Sequence, residues 1–194
     1  MAEIVCSTEC AGGVSMSAFP TGCTQVDFGF PKMVILCAPA TNISPAGTVP
    51  TVAEFQAVIA TGGSDVVVIN DIANGVKLPG EKQEITGAET ADNLPETISE
   101  MEGITGNLKR FNATILADLE ALNCHKRLRV WYITNKGWCF GGTRGYISSN
   151  YVSDWAHDGF GGRSYIPLEF KWMREDYTTA CSQDLDYLDL TNAS

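Results

Sequence analysis

The chain has 194 residues and a formal net charge of −10, from 13 Lys and Arg against 23 Asp and Glu. That length fits one domain with long loops, and 44% hydrophobic with 9% aromatic residues is enough for a real core. Nucleic-acid binding draws most of its affinity from basic side chains on phosphates, so this balance argues against a protein that reads nucleic-acid sequence.

Nineteen glycines and many short Thr/Ser/Asn turns favour β structure over a helical bundle. The long apolar runs, near Met33–Ala40 and Val66–Ile69, are too short to span a bilayer. Seven cysteines cannot all pair within one chain. The start, Met1 to Cys6, has no basic segment followed by a long apolar one, so no secretory signal is expected and the cysteines are expected to be reduced. In that setting the Asn-x-Ser/Thr triplets at Asn42, Asn112 and Asn192 carry no glycosylation meaning.

Residues 1–32 are rich in Gly, Ser, Thr and Cys and read as an N-terminal arm. Cys6 and Cys10 form a C-x3-C, with Cys23 beyond. Zinc needs four ligands at compact spacing, no second pair follows, and His125 and His157 stand alone, so no metal site is expected. Met33 to Ala38 is a strand between prolines, followed by a loop to Pro50. Thr51-Val52-Ala53-Glu54 is a capping box that opens a helix with Phe55, Val58 and Ile59 on one face, stopped by Gly62-Gly63.

Val66 to Ile69 is a β-branched strand. An Asn70-Asp71 and Asn74-Gly75 turn region follows, and Asn74-Gly75 flanked by Ile72, Val76 and Leu78 predicts a hairpin. Residues 81–102 then hold seven acids against Lys82. One reading is a solvated loop or an edge hairpin whose charges discourage edge-to-edge pairing. The other is a surface that faces a repelled polyanion or a partner's basic patch, with Glu81, Glu84, Glu89, Asp92 and Glu96 as candidates.

Met101 to Phe111 reads as a strand. Asn112 is a good N-cap for a helix to Leu122 whose stripe is Ile115, Leu116, Leu119 and Leu122. Arg127 to Phe140 is a β-hairpin around Asn135-Lys136-Gly137. Residues 143–163 hold Tyr146, Tyr151, Trp155 and Phe160, candidates for a packing surface between subunits. Gly159-Phe160-Gly161-Gly162 leads into a strand rather than a helix, which argues against a phosphate loop. Tyr165 to Trp172 alternates, with Ile166, Leu168, Phe170 and Trp172 on one face. Pro167 places this strand near a sheet edge, or marks its first residues. Asp184 to Leu190 is a solvated tail or a docking segment.

No catalytic constellation emerges. Cys124-His125 and His157-Asp158 are sequence neighbours whose side chains point to opposite faces of an extended chain. Nothing apolar surrounds the 81–102 carboxylates to shift their pKa values. No enzyme activity and no cofactor are expected. The fold class is mainly β with one or two flanking helices (α+β), an antiparallel sandwich or barrel-like subunit. It divides into an arm over 1–32, a β-rich domain over 33–176 with the acidic loop 81–102, and an acidic tail over 177–194.

From Ile85 to Trp172 the order of elements resembles bacteriophage tail tube proteins. The matching pieces are Ile104-Thr105-Gly106-Asn107-Leu108, the helix Asn112–Leu122, the hairpin ending Trp138-Cys139-Phe140-Gly141, and Leu168-Glu169-Phe170-Lys171-Trp172. The resemblance implies a β-sandwich subunit with a flanking helix, an acidic loop and a long arm, stacked as hexameric rings. It also implies a virion location after synthesis in the host cytoplasm, with copies of itself and other virion proteins as partners. A tube that passes DNA suits an acidic lumen. The alternatives are a capsid-associated or head–tail connector protein, and a monomeric β-rich module that binds a small ligand or carbohydrate through Trp131, Trp138, Trp155 and Tyr151. No membrane partner is expected.

Overall fold

A computed structural model describes residues 27–40, 43, 49–61, 66–85, 96–122, 126–152, 154–159, 162–173 and 181–191. Its strands are β1 (Pro31–Cys37), β2 (Val66–Ile69), β3 (Ile72–Ile85), β4 (Glu96–Leu108), β5 (Lys126–Thr134), β6 (Trp138–Phe140), β7 (Tyr146–Val152), β8 (Ala156–His157), β9 (Ser164–Met173) and β10 (Cys181–Gln183). The helices are α1 (Val52–Ala60) and α2 (Ala113–Leu122), and a 3-10 helix spans Leu185–Asp189. The protein is mainly β, and every strand pair is antiparallel.

The sheet runs β10-β6-β5-β7-β9-β4-β3. On its other flank β5 carries β1, and β2 lies beyond β1. Alternation along the strands builds two cores, one on each face of β1 and β5. Val34 and Leu36 of β1, with Val130 and Tyr132 of β5, join Ile104, Leu108, Ile166, Leu168, Phe170 and Trp172 in the larger core, with Leu119 of α2. The odd-numbered neighbours Met33, Ile35, Trp131 and Ile133 face the other way, under Phe55 of α1 and Tyr187 and Leu190 of the C-terminal segment.

Both helices start as expected. Thr51 Oγ1 accepts from the Glu54 amide at 3.3 Å while the Glu54 carboxylate accepts from the Thr51 amide at 2.7 Å. Asn112 Oδ1 accepts from the Ile115 amide at 2.8 Å. Leu119 is buried and Leu116 half-buried, but Ile115, assigned to the same stripe, is 38% exposed.

Three readings change. Asn74-Gly75 is not a hairpin turn: residues 72–85 form one strand, and Asn74, at φ +54°, sits where the β3–β4 register shifts between Ala73 and Val76. This is a β-bulge. Gly75 is required there because a Cβ would run into the Pro31 carbonyl, which brings the start of β1 against β3. Of the acidic stretch 81–102, residues 81–85 and 96–102 are strand, which takes the edge-hairpin alternative over the solvated loop, and 86–95 lie outside the described residues. Finally, β9 is an interior strand between β7 and β4. Pro167 is tolerated because β8 pairs with Ser164 and Tyr165 and β7 with Leu168 to Trp172, so no ladder amide is needed between them.

The C-terminal stretch read as a tail or docking segment packs on its own chain. Tyr187 is 2% exposed and its hydroxyl donates to the Pro50 carbonyl at 2.6 Å, while Leu190 is 1% exposed.

Candidate assembly surfaces

β3 and β4 pair from Ile72–Leu108 out to Ile85–Glu96. The third strand, β9, follows β4 only as far as the Met101–Met173 pair. Beyond that pair, residues 96–100 extend about 17 Å at ~3.3 Å per residue with only β3 beside them among the described residues. The outer edge of β3 has no partner strand among the described residues either. The result is a two-stranded ribbon whose edges have no partner among the described residues. Its described residues, 81–85 and 96–100, carry Glu81, Glu84, Glu96 and Glu100 against Lys82. Glu81 is exposed.

Glu84 and Glu96 occupy ribbon positions opposite Thr97 and Ile85. Glu89 and Asp92 lie outside the described residues. The ribbon therefore brings Glu81, Glu84 and Glu96 onto one projecting element. Where it joins the body, Lys77 meets Glu102 at 3.6 Å.

A second surface is the sheet face opposite the larger core. α1 and the C-terminal segment cover it over β1, β2 and β5, but no described element covers it over β7, β9, β4 and β3. Val76, Ile147 and Met173 are 53%, 47% and 59% exposed. Glu169 and Lys171 pair there at 2.7 Å, and this bond lies first among the causes that raise the Lys171 pKa. Beside the β3 bulge lies a shallow depression of about 270 Å³, lined by Asn74, Thr105, Asn107, Pro167 and Glu169 among others.

The aromatics of 143–163 separate. Tyr146 begins β7, not an irregular loop, and stacks on Trp172 with ring centroids 4.3 Å apart. Tyr132 stacks on Phe140 at 4.8 Å and reaches Tyr146 and Trp172 at 6.3 and 6.1 Å. This column closes one end of the larger core. Tyr151 lies opposite Glu169 on β7, Trp155 is 52% exposed, and Phe160 lies outside the described residues. Trp131 and Trp138, offered as ligand-binding aromatics, are 0% and 8% exposed and belong to the interior. The column was hidden from the sequence because its members meet only through the β5–β6, β5–β7 and β7–β9 registers.

The chemistry of the buried polar groups is quiet. Burial pushes the Cys139 thiol and the Tyr132 phenol far up, so both stay protonated at neutral pH. No disulfide forms among Cys37, Cys139 and Cys181, and no group of metal-ligating side chains gathers among the described residues. His157 is exposed, and Cys124 and His125 lie outside the described residues. No described helix is long and apolar enough to cross a membrane.

No family model matches the chain, and no curated protein matches it. Among solved structures, it is similar to a chain in the tail of an empty GTA particle with C6 symmetry, at 14% identity and a TM-score of 0.37, over 64% of this chain and 90% of that one.

Proposed function

We propose that the protein is a virion structural subunit that assembles with copies of itself into the stacked rings of a phage-type tail tube. The observation that carries this reading is the β3–β4 ribbon, whose edges beyond β9 have no partner among the described residues. A two-stranded hairpin is marginal by itself in water, and an unpaired strand edge is a template for another chain. A ribbon of this kind is stabilised by pairing with a neighbour. The bare face around Val76, Ile147 and Met173 offers apolar contact area to the same neighbour.

The charge supports the same assignment. A subunit of net charge −10 whose ribbon carries Glu81, Glu84, Glu96 and Glu100 against Lys82 presents a surface along which a polyanion slides without sticking. The resemblance of residues 85–172 to tail tube proteins adds to this reading. Burial of Trp131 and Trp138 weighs against the ligand-binding module, which loses half of its aromatic platform.

Light scattering of the full chain over a hundredfold range of concentration tests the proposal. Self-assembly predicts a mass that climbs well past one chain. A constant one-chain mass across the range would sink it.

A further inference from the structure

The turn between β5 and β6 holds both ends of the described chain at once. On one side is the N-terminal root, residues 27–30, which lead into β1. The Phe30 amide donates to Asn135 Oδ1 and the Asn135 amide donates back to the Phe30 carbonyl, both at 3.0 Å. Phe28 packs edge-on against Trp138 and Phe140 at 5.3 and 5.5 Å. Lys136 reaches Asp27 at 3.9 Å, a minor contact because both groups are well exposed.

On the other side is the C-terminal segment. Gln183 Nε2 donates to the Lys136 carbonyl at 3.1 Å, and the Asp184 amide donates to the Gly137 carbonyl at 2.9 Å. Gln183 lies opposite Trp138 in the β6–β10 ladder, so Trp138 is shared by both ends. The approach is close enough to require glycine on each side. Gly29 and Gly137 have φ of +73° and +74°; a Cβ on Gly29 would strike Asn135, and one on Gly137 would lie 2.6 Å from the Asp184 carbonyl oxygen.

We infer that this turn is a latch coupling the two ends of the chain, so that displacing the N-terminal root from Asn135 and Trp138 releases the C-terminal segment. Residues 135–138 carry all of these contacts except that of Phe28 with Phe140, and moving Asn135 or Trp138 on one side moves the carbonyls of Lys136 and Gly137 on the other. Release uncovers the outer edge of β6 and exposes Tyr187 and Leu190, which are closed over in the seated state. A subunit whose residues 27–30 are drawn away by a neighbour thus opens a second edge of its own sheet. This consequence rests on the assembly reading; the coupling itself does not.

Hydrogen–deuterium exchange on the full-length chain tests it. Coupling of this kind is reciprocal. Asn135→Ala, which removes the acceptor for Phe30, is expected to speed exchange at 181–190 about tenfold while amides of β9 stay protected. Tyr187→Phe, which removes only the hydroxyl that bonds Pro50 and Ser182, is expected to speed exchange at Phe30 and Asn135. Asn135→Asp, which keeps the accepting oxygen, should restore protection on both sides. If Asn135→Ala fails to fold, Phe28→Leu loosens the root without substituting a residue of the turn and should give the same distant effect. Loosening confined to the altered side in both directions would overturn the latch. Neither result bears on whether the chain assembles, because exchange is read within single chains.

Discussion

The two flanks of the sheet are built for different ends. Around β1 and β5 both faces of the strands are covered: Val34, Ile35, Val130, Trp131 and Ile133 are all fully buried. At the other flank, β3 pairs only with β4 among the described strands, and Val76 is more than half exposed. The sequences already differ: β1 and β5 are rich in aliphatic and aromatic residues, whereas β3 (Ile72–Ile85) carries Asn74, Gly75, Pro79, Gly80 and the charged Lys77, Glu81, Lys82 and Glu84. They differ too in what lies over them: α1 and the C-terminal segment pack on β1, β2 and β5, α2 lies against β7, and no described element lies over the ribbon. β3, β4 and β9 bury one face in the larger core through Ile72, Ile104, Leu108, Ile166, Leu168, Phe170 and Trp172, whereas β1 and β5 bury both.

That contrast breaks down if substitutions on the two flanks cost the same. Trp131→Ala removes a ring that packs edge-on against Phe55 at 5.7 Å and donates to the Gly142 carbonyl at 3.1 Å. It should cost about 3–5 kcal/mol in urea denaturation. Gly137→Ala combines a positive φ with a clash against Asp184 and should cost about 1–3 kcal/mol, with early loosening of 181–191. Thr51→Ala dismantles the capping box and should cost about 1 kcal/mol.

Tyr187 sharpens the comparison through pH. Burial pushes its phenol from 10.0 up to about 12, so the folded state holds its proton where the unfolded state does not. The stability it contributes is therefore complete below pH 10 and is lost as pH rises from 10 through about 12. Tyr187→Phe should flatten that part of the stability–pH curve and cost about 1 kcal/mol at neutral pH through the lost bond to Pro50. An alkaline limb that is unchanged in the variant would show that Tyr187 is not its source. At the bare flank, Val76→Ala and Glu81→Gln should each change chain stability by less than about 0.5 kcal/mol, yet lower the mass reached by self-assembly. A large stability loss at either position would mean that β3 is already covered.

Local chemistry was legible in the sequence where it acts over a few residues. The Thr51–Glu54 box, the Asn112 cap, the turn at Asn135–Gly137 and the alternation of Ile166 to Trp172 all follow from side-chain period and hydrogen-bonding capacity. Asn74-Gly75 misled because the same dipeptide serves a turn and a bulge, and the choice is made by β4, about thirty residues further along the chain, pairing on both sides of it. Pro167 points to an edge locally, but its edge is a gap between two partner strands rather than the rim of the sheet. The Tyr132–Tyr146–Trp172 column and the docking of Tyr187 depend on register and on contacts over a hundred residues apart, which no local pattern carries. Of the candidate surface, the acids were visible as composition; that several of them ride on a ribbon past the third strand was not.

The account turns on whether this chain builds an assembly, and negative-stain electron microscopy of the purified full-length protein addresses that most directly. The account predicts rings or tubes of uniform diameter with a central channel. Fields of single, dispersed particles at concentrations well above those of the light-scattering series would contradict it.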